Sequence, residues 1–86
     1  MVHETTTSLG PADVIHAAKQ FFAERMPQYA AYPEKEGPTY LTLRGQGGEE
    51  IALAVIAGEQ GNRVRASTLL FDQALGRFLS TLPRVA

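Results

Sequence analysis

Between residues 39 and 68 large aliphatic and polar side chains alternate with a period of two through three segments, residues 39–45, 49–57 and 62–68. A period of two is the pattern of half-buried strands. If Gly45 pairs with Glu49 across a loop of Gln46, Gly47 and Gly48, Leu43 faces Ile51, Leu41 faces Leu53 and, on the other side, Arg44 faces Glu50. The loop of Gly58, Glu59, Gln60 and Gly61 independently sets Val55 opposite Val64, Leu53 opposite Ala66 and Ile56 opposite Arg63. A one-residue slip would invert every side chain of a strand, so two turns that agree on the faces specify the register of a three-stranded meander.

Two helical patterns flank this block. Val14, Ile15, Ala18, Phe21, Phe22 and Met26 share about one third of a helix circumference, with His16, Gln20 and Glu24 opposite. Pro11 suits the first turn, Ser8 or Gly10 the cap, and Asp13 the positive end of the dipole. Pro27 biases Met26 away from helical geometry and predicts the stop. Residues 69–82 repeat the period with Leu70, Phe71, Ala74, Leu75, Phe78 and Leu82 on one face, Ser67 or Thr68 as cap and Pro83 as terminator. Gly76, on the outer flank of this second helix, suggests close approach by a neighbour or tolerated drift. Residues 1–9, rich in threonine, read as an edge strand or a disordered arm. Around residues 29–35 Pro33, which cannot donate to a ladder, confines any strand to a sheet edge.

The patterns predict an α+β domain: an antiparallel sheet of three to five strands, in the order β-α-β-β-β-β-α, with both helices on one face. That face is built from Leu41, Leu43, Ile51, Leu53, Val55, Val64 and Ala66. With 86 residues, 44% of them hydrophobic, the chain accommodates one core and is expected to be a single domain over 1–86.

The run Ser8-Leu9-Gly10-Pro11-Ala12-Asp13-Val14, a threonine-rich strand turning through proline into a helix, resembles the opening of START-like and Bet v 1-like helix-grip proteins. The ending is similar too: a strand, Arg63 to Thr68, leads straight into a terminal helix. The resemblance implies a curved sheet gripping the last helix around an apolar cavity for a hydrophobic ligand. The chain is shorter than a full helix-grip domain, so the implied arrangement is a miniature one.

Composition removes several chemistries. Eight basic and nine acidic residues give a formal charge of −1, so no global field draws the chain to nucleic acid or an anionic membrane. The absence of cysteine excludes disulfides, thiolate catalysis and cysteine-based zinc sites. The polar start lacks the layout of a signal peptide, and no apolar run approaches the roughly 20 residues of a membrane span, which predicts a cytoplasmic protein. His3, in a terminus expected to fray, and His16, on a polar helix side, have no ligand at metal spacing, so neither a metal nor a cofactor is expected. The carboxylates sit at turns, strand starts and helix first turns, with no pairing that acid/base catalysis requires. A glycine-rich stretch at residues 45–48 lacks the lysine and helix of a phosphate cradle and is read as a hairpin turn.

What remains is the sheet's outer face. It carries Tyr40, Ala54, Ile56, Arg44, Arg63 and Arg65, with Thr42 and Ala52 between them, and these define the candidate binding surface. Arg44 is expected to pair with Glu50, and a sheet with one aromatic in place argues against RNA. Tyr29, Tyr32 and Tyr40 are expected to gather at the edge hairpin, capping the core or lining a ligand mouth. Two functions follow. One is a non-enzymatic interaction module that forms a homodimer, or docks another protein, through this face. The other is a binder of a small hydrophobic ligand between the sheet and the terminal helix, beside Phe21, Phe22, Phe71 and Phe78.

Overall fold

The computed structural model describes residues 2–25, 31–45, 47–69 and 71–84. Strand β1 (Val2–Thr7) leads into helix α1 (Pro11–Gln20), which continues as a π-helical turn (Phe21–Arg25). Strands β2 (Ala31–Glu36), β3 (Tyr40–Gly45), β4 (Glu50–Gly58) and β5 (Gly61–Thr68) follow, and helix α2 (Asp72–Thr81) closes the order β-α-β-β-β-β-α. All neighbouring strands are antiparallel, in the order β1-β5-β4-β3-β2. The sheet is open, with both helices packed on one side.

The meander has the register that the aliphatic alternation requires. Leu41 pairs with Leu53, Leu43 with Ile51 and Arg44 with Glu50; Val55 pairs with Val64, Leu53 with Ala66 and Ile56 with Arg63. The turns are made by glycines in backbone regions closed to other residues, Gly48 at φ 90° and Gly61 at φ 119°. Of residues 1–9, Val2–Thr7 form β1, the edge partner of β5. The opposite edge is β2, where Pro33 and a register shift between Pro33 and Lys35 interrupt the ladder, the usual way of blunting a sheet edge.

Helix α1 begins at Pro11 with Gly10 as its N-cap and no side-chain cap, Asp13 lying in the first turn. At Phe21 the α-helix gives way to the wider π turn, and the consecutive Phe21 and Phe22 both reach the core. The expected stop at Pro27, and with it Met26, lies outside the described residues. Helix α2 starts at Asp72, three residues later than its periodicity suggested. The N-cap is Phe71, with no side-chain cap, so neither Ser67 nor Thr68 takes the expected capping role; Thr68 Oγ1 instead accepts from the Phe71 N–H at 3.3 Å just ahead of the helix, and Leu82 turns extended before Pro83. Leu70 falls outside the described residues, and Leu79 adds to the buried face.

The core is one layer between sheet and helices. Leu41, Leu43, Ile51, Leu53, Val55, Val64 and Ala66 meet Val14, Ile15, Ala18, Phe21 and Phe22 from the first helix and Ala74, Leu75, Phe78 and Leu79 from the second, all buried. Phe21, Phe22 and Phe78 form a cluster with ring centroids 5.2, 5.5 and 5.9 Å apart. Phe71 lies over Gly45, where a Cβ would come within 3.0 Å of its ring. Between the two ends of the chain, Thr7, fully buried, donates through Oγ1 to the Pro83 carbonyl at 2.6 Å and accepts from the Leu9 N–H at 3.2 Å.

Candidate functional site

With both helices on the inner face, no described element covers the outer one. Pairing places the outward side chains in level rows across the strands. Tyr40, Ala54, Arg65 and Glu4 form one row; Thr42, Ala52, Ser67 and Val2 form the next; Ile56, Arg63 and Thr6 form a third. Arg44, flanked by Tyr32 and Glu50, closes the far end. All six residues expected on this surface, Tyr40, Arg44, Ala54, Ile56, Arg63 and Arg65, therefore share it.

The face is also where exposed apolar surface accumulates. Val2, Tyr32, Tyr40 and Ile56 are 53%, 57%, 46% and 48% exposed, and all four point outward from the sheet. Leu69, 89% exposed, sits just past the end of β5. Ala52 and Ala54 floor a depression of about 380 Å³ walled by Tyr40, Thr42, Arg65, Ser67 and Val2. A larger hollow of about 630 Å³ adjoins it through Val2 and Ser67, and is bounded by Arg44, Gly48, Glu50 and Leu69.

The three arginines differ in what holds them. Arg44 makes a bidentate pair with Glu34, Nε to Oε2 and Nη2 to Oε1 both at 2.9 Å, reaches Glu50 at 3.2 Å and donates to the Gly48 carbonyl at 2.9 Å. The hydrogen bonds from Arg44 hold the Glu34 carboxyl below the usual carboxylate range, and Glu34 in turn raises Arg44 above its already high value. Arg44 is thereby a fixed strut. Arg63 Nε lies 3.3 Å from Glu4 Oε1. Arg65 is exposed and makes no ion pair among the described residues.

Several expectations are corrected here. Tyr32 and Tyr40 do not cap the core: both project from the outer face, in separate rows, and Tyr29 lies outside the described residues. The Tyr40 ring is seated against Gly37, where any Cβ would fall inside it. Arg44 does pair with Glu50, but its principal acid is Glu34, brought to that side by the β2 irregularity that alternation cannot reveal. His3 is not frayed; it faces inward on β1 with Nε2 2.9 Å from Asp72 Oδ1. Val2, Glu4 and Ser67 also belong to the surface, beyond the residues that the sequence predicts there. Ser67 follows from the β5 alternation, whereas Val2 and Glu4 depend on how a strand that is half threonine pairs.

Among the described residues no group of three or more His, Asp or Glu is arranged to hold a metal ion, and no helix is long and apolar enough to cross a membrane. The chain matches no known family model, no curated protein and no solved structure.

Proposed function

We propose that the protein is a small, non-enzymatic, cytoplasmic interaction module that takes up a protein partner on the outer face of its sheet. One observation carries this reading: four of its large exposed apolar side chains, Val2, Tyr32, Tyr40 and Ile56, stand on one uncovered sheet face, Val2 and Tyr40 walling a depression floored by Ala52 and Ala54. Scattered apolar residues on a surface are ordinary, whereas a contiguous apolar patch rimmed by charge marks a contact site. Arg44, Glu34 and Glu50 supply that rim at one end, Arg63 and Glu4 at the other.

In the alternative, helix-grip reading, this β-α-β-β-β-β-α chain would hold an apolar ligand between the sheet and the terminal helix. A ligand bound as in that family would have to displace Phe22, Leu75 and Phe78, which are fully buried between sheet and helices. The outer face offers its apolar surface without any such rearrangement.

The test is a photo-cross-linking residue in place of Tyr40, compared with one in place of His16, which is exposed on α1. Protein adducts, to a second copy or to another chain, should form from position 40 and not from position 16. Equal labelling from both positions, or none from position 40, would count against the outer face as a contact surface.

A further inference from the structure

The identity of the partner follows from the symmetry of the outer face, given that this face is the contact surface proposed above. We infer that the partner is a second copy of this chain, related by a two-fold axis running along β4, with Arg65 of each copy lying over Tyr40 of the other.

Tyr40 on β3 and Arg65 on β5 flank Ala54 on β4 at the same level. Each neighbouring strand lies about 4.8 Å to its side. A two-fold axis along β4 exchanges the positions of β3 and β5 between facing sheets, so the guanidinium of Arg65 meets the exposed face of the partner's Tyr40, twice per dimer. That is the arrangement of a cation–π pair. It gives a partner to the outer-face arginine that makes no ion pair among the described residues, its cross-strand neighbour Glu4 being engaged by Arg63, and it uses a ring seated against Gly37.

The strand on the axis fits this role. Along β4 the outward residues between Glu50 and Ile56 are Ala52 and Ala54, so two copies approach closest where their side chains are smallest. One level along, Thr42 comes opposite Ser67, hydroxyl to hydroxyl. Twisted sheets pack at roughly −30°, which the axis accommodates by lying about 15° from the strand.

The other in-plane axis, across the strands between Ala52 and Ala54, gives no such match. It lays each strand over its own copy, sets Arg65 against Ser67 and Tyr40 against Thr42, and covers the Arg65 charge with no aromatic or acidic group of the facing copy opposite it. Covering an unpaired charge is costly.

Five strands spaced about 4.8 Å apart over some 20 Å of length present roughly 500 Å² per copy in projection, the low end of specific interfaces. The dimer is accordingly a weak one, dissociating in the micromolar range, and its mass depends on concentration.

Sedimentation equilibrium of the full chain from low micromolar to millimolar concentration tests the inference. The wild type should dimerise, and Ala54→Glu should remain monomeric with an unchanged circular dichroism spectrum. Tyr40→Ala and Arg65→Ala should each weaken the dimer about tenfold. The double variant should be no weaker than the worse single one, because both changes remove the same contact. Since the chain has no cysteine, Ala54→Cys introduces a single thiol, which a short bismaleimide should join across the axis. Thr6→Cys, at the sheet edge, should not be joined, and neither result depends on Ala54→Glu folding.

A wild type that stays monomeric at millimolar concentration overturns the second copy as partner; adducts from position 40 to another chain would then leave the contact surface standing. A dimer lost in Ala54→Glu, but with additive losses at positions 40 and 65 and no joining at 54, overturns the β4 axis alone. A dimer indifferent to Ala54→Glu overturns both the axis and the outer face.

Discussion

His3 Nε2 lies 2.9 Å from Asp72 Oδ1, joining the inward side of β1 to the first residue of α2. Asp72 stands where a negative charge is favoured by the helix dipole, and the hydrogen bond to His3 holds its carboxyl below the usual carboxylate range. A carboxyl whose pKa is lower in the folded state than in the unfolded one contributes stability fully above its unfolded value, near 4, and loses it as pH falls through the folded value. His3→Ala and Asp72→Asn should therefore lower the unfolding midpoint at neutral pH. They should also flatten the loss of stability between about pH 5 and pH 2 relative to the wild type. Denaturant unfolding across that range measures it, and an acid slope identical to that of the wild type would refute the coupling.

Gly76 lies inside α2, and a Cβ there would meet nothing within 4 Å. The close neighbour that its presence suggested is absent among the described residues. Replacing it by alanine removes backbone freedom from the unfolded chain without a clash, which stabilises by about 0.4–1 kcal/mol. In a domain of this size that corresponds to a rise of a few degrees in thermal midpoint. A lower midpoint would show that position 76 touches something in the assembled protein.

The parts of the fold that were legible in the sequence are those set by periodicity. Leu41, Leu43, Ile51, Leu53, Val55 and Val64 alternate strictly, and two independent turns agree on their face, so register and candidate surface followed together. The remainder depends on pairing that no local pattern encodes. Half of β1 is threonine, which suits either face, so the inward position of His3 and the outward position of Val2 are decided by its partner β5. Glu34 reaches Arg44 because the ladder shifts between Pro33 and Lys35, a local irregularity at a proline. The π turn at Phe21 bends the helical period itself, which is why a regular 3.6-residue pattern does not reveal where α1 ends.

Thr7 tests how the two ends of the chain are held together. Its buried hydroxyl serves both the Pro83 carbonyl and the Leu9 N–H. Thr7→Val keeps the shape and the β-branching but removes the acceptor of the Leu9 N–H and leaves the Pro83 carbonyl with the Ser8 N–H at 3.3 Å, at a cost of about 1–3 kcal/mol. Thr7→Ser keeps the hydroxyl and should lose less. Thermal melts of the two variants distinguish these outcomes; equal losses would assign the effect to packing.

Gly37 and Tyr40 separate the surface from the stability of the fold. The Gly37 N–H donates to the Tyr40 carbonyl at 3.0 Å, closing the β2–β3 turn, while the ring folds back over the Gly37 Cα. Alanine at position 37 leaves that backbone bond intact, since the φ there is not positive, but drives the ring from its seat. The change lies on the surface, so global stability should move by no more than about 0.5 kcal/mol. The Tyr40 ring protons should lose their nuclear Overhauser contacts to Gly37 Hα. Association through the outer face should weaken by about as much as in Tyr40→Ala, because in both variants the ring is no longer presented beside Ala54. Unaltered association with a displaced ring would show that Tyr40 contributes bulk near the interface and no directed contact.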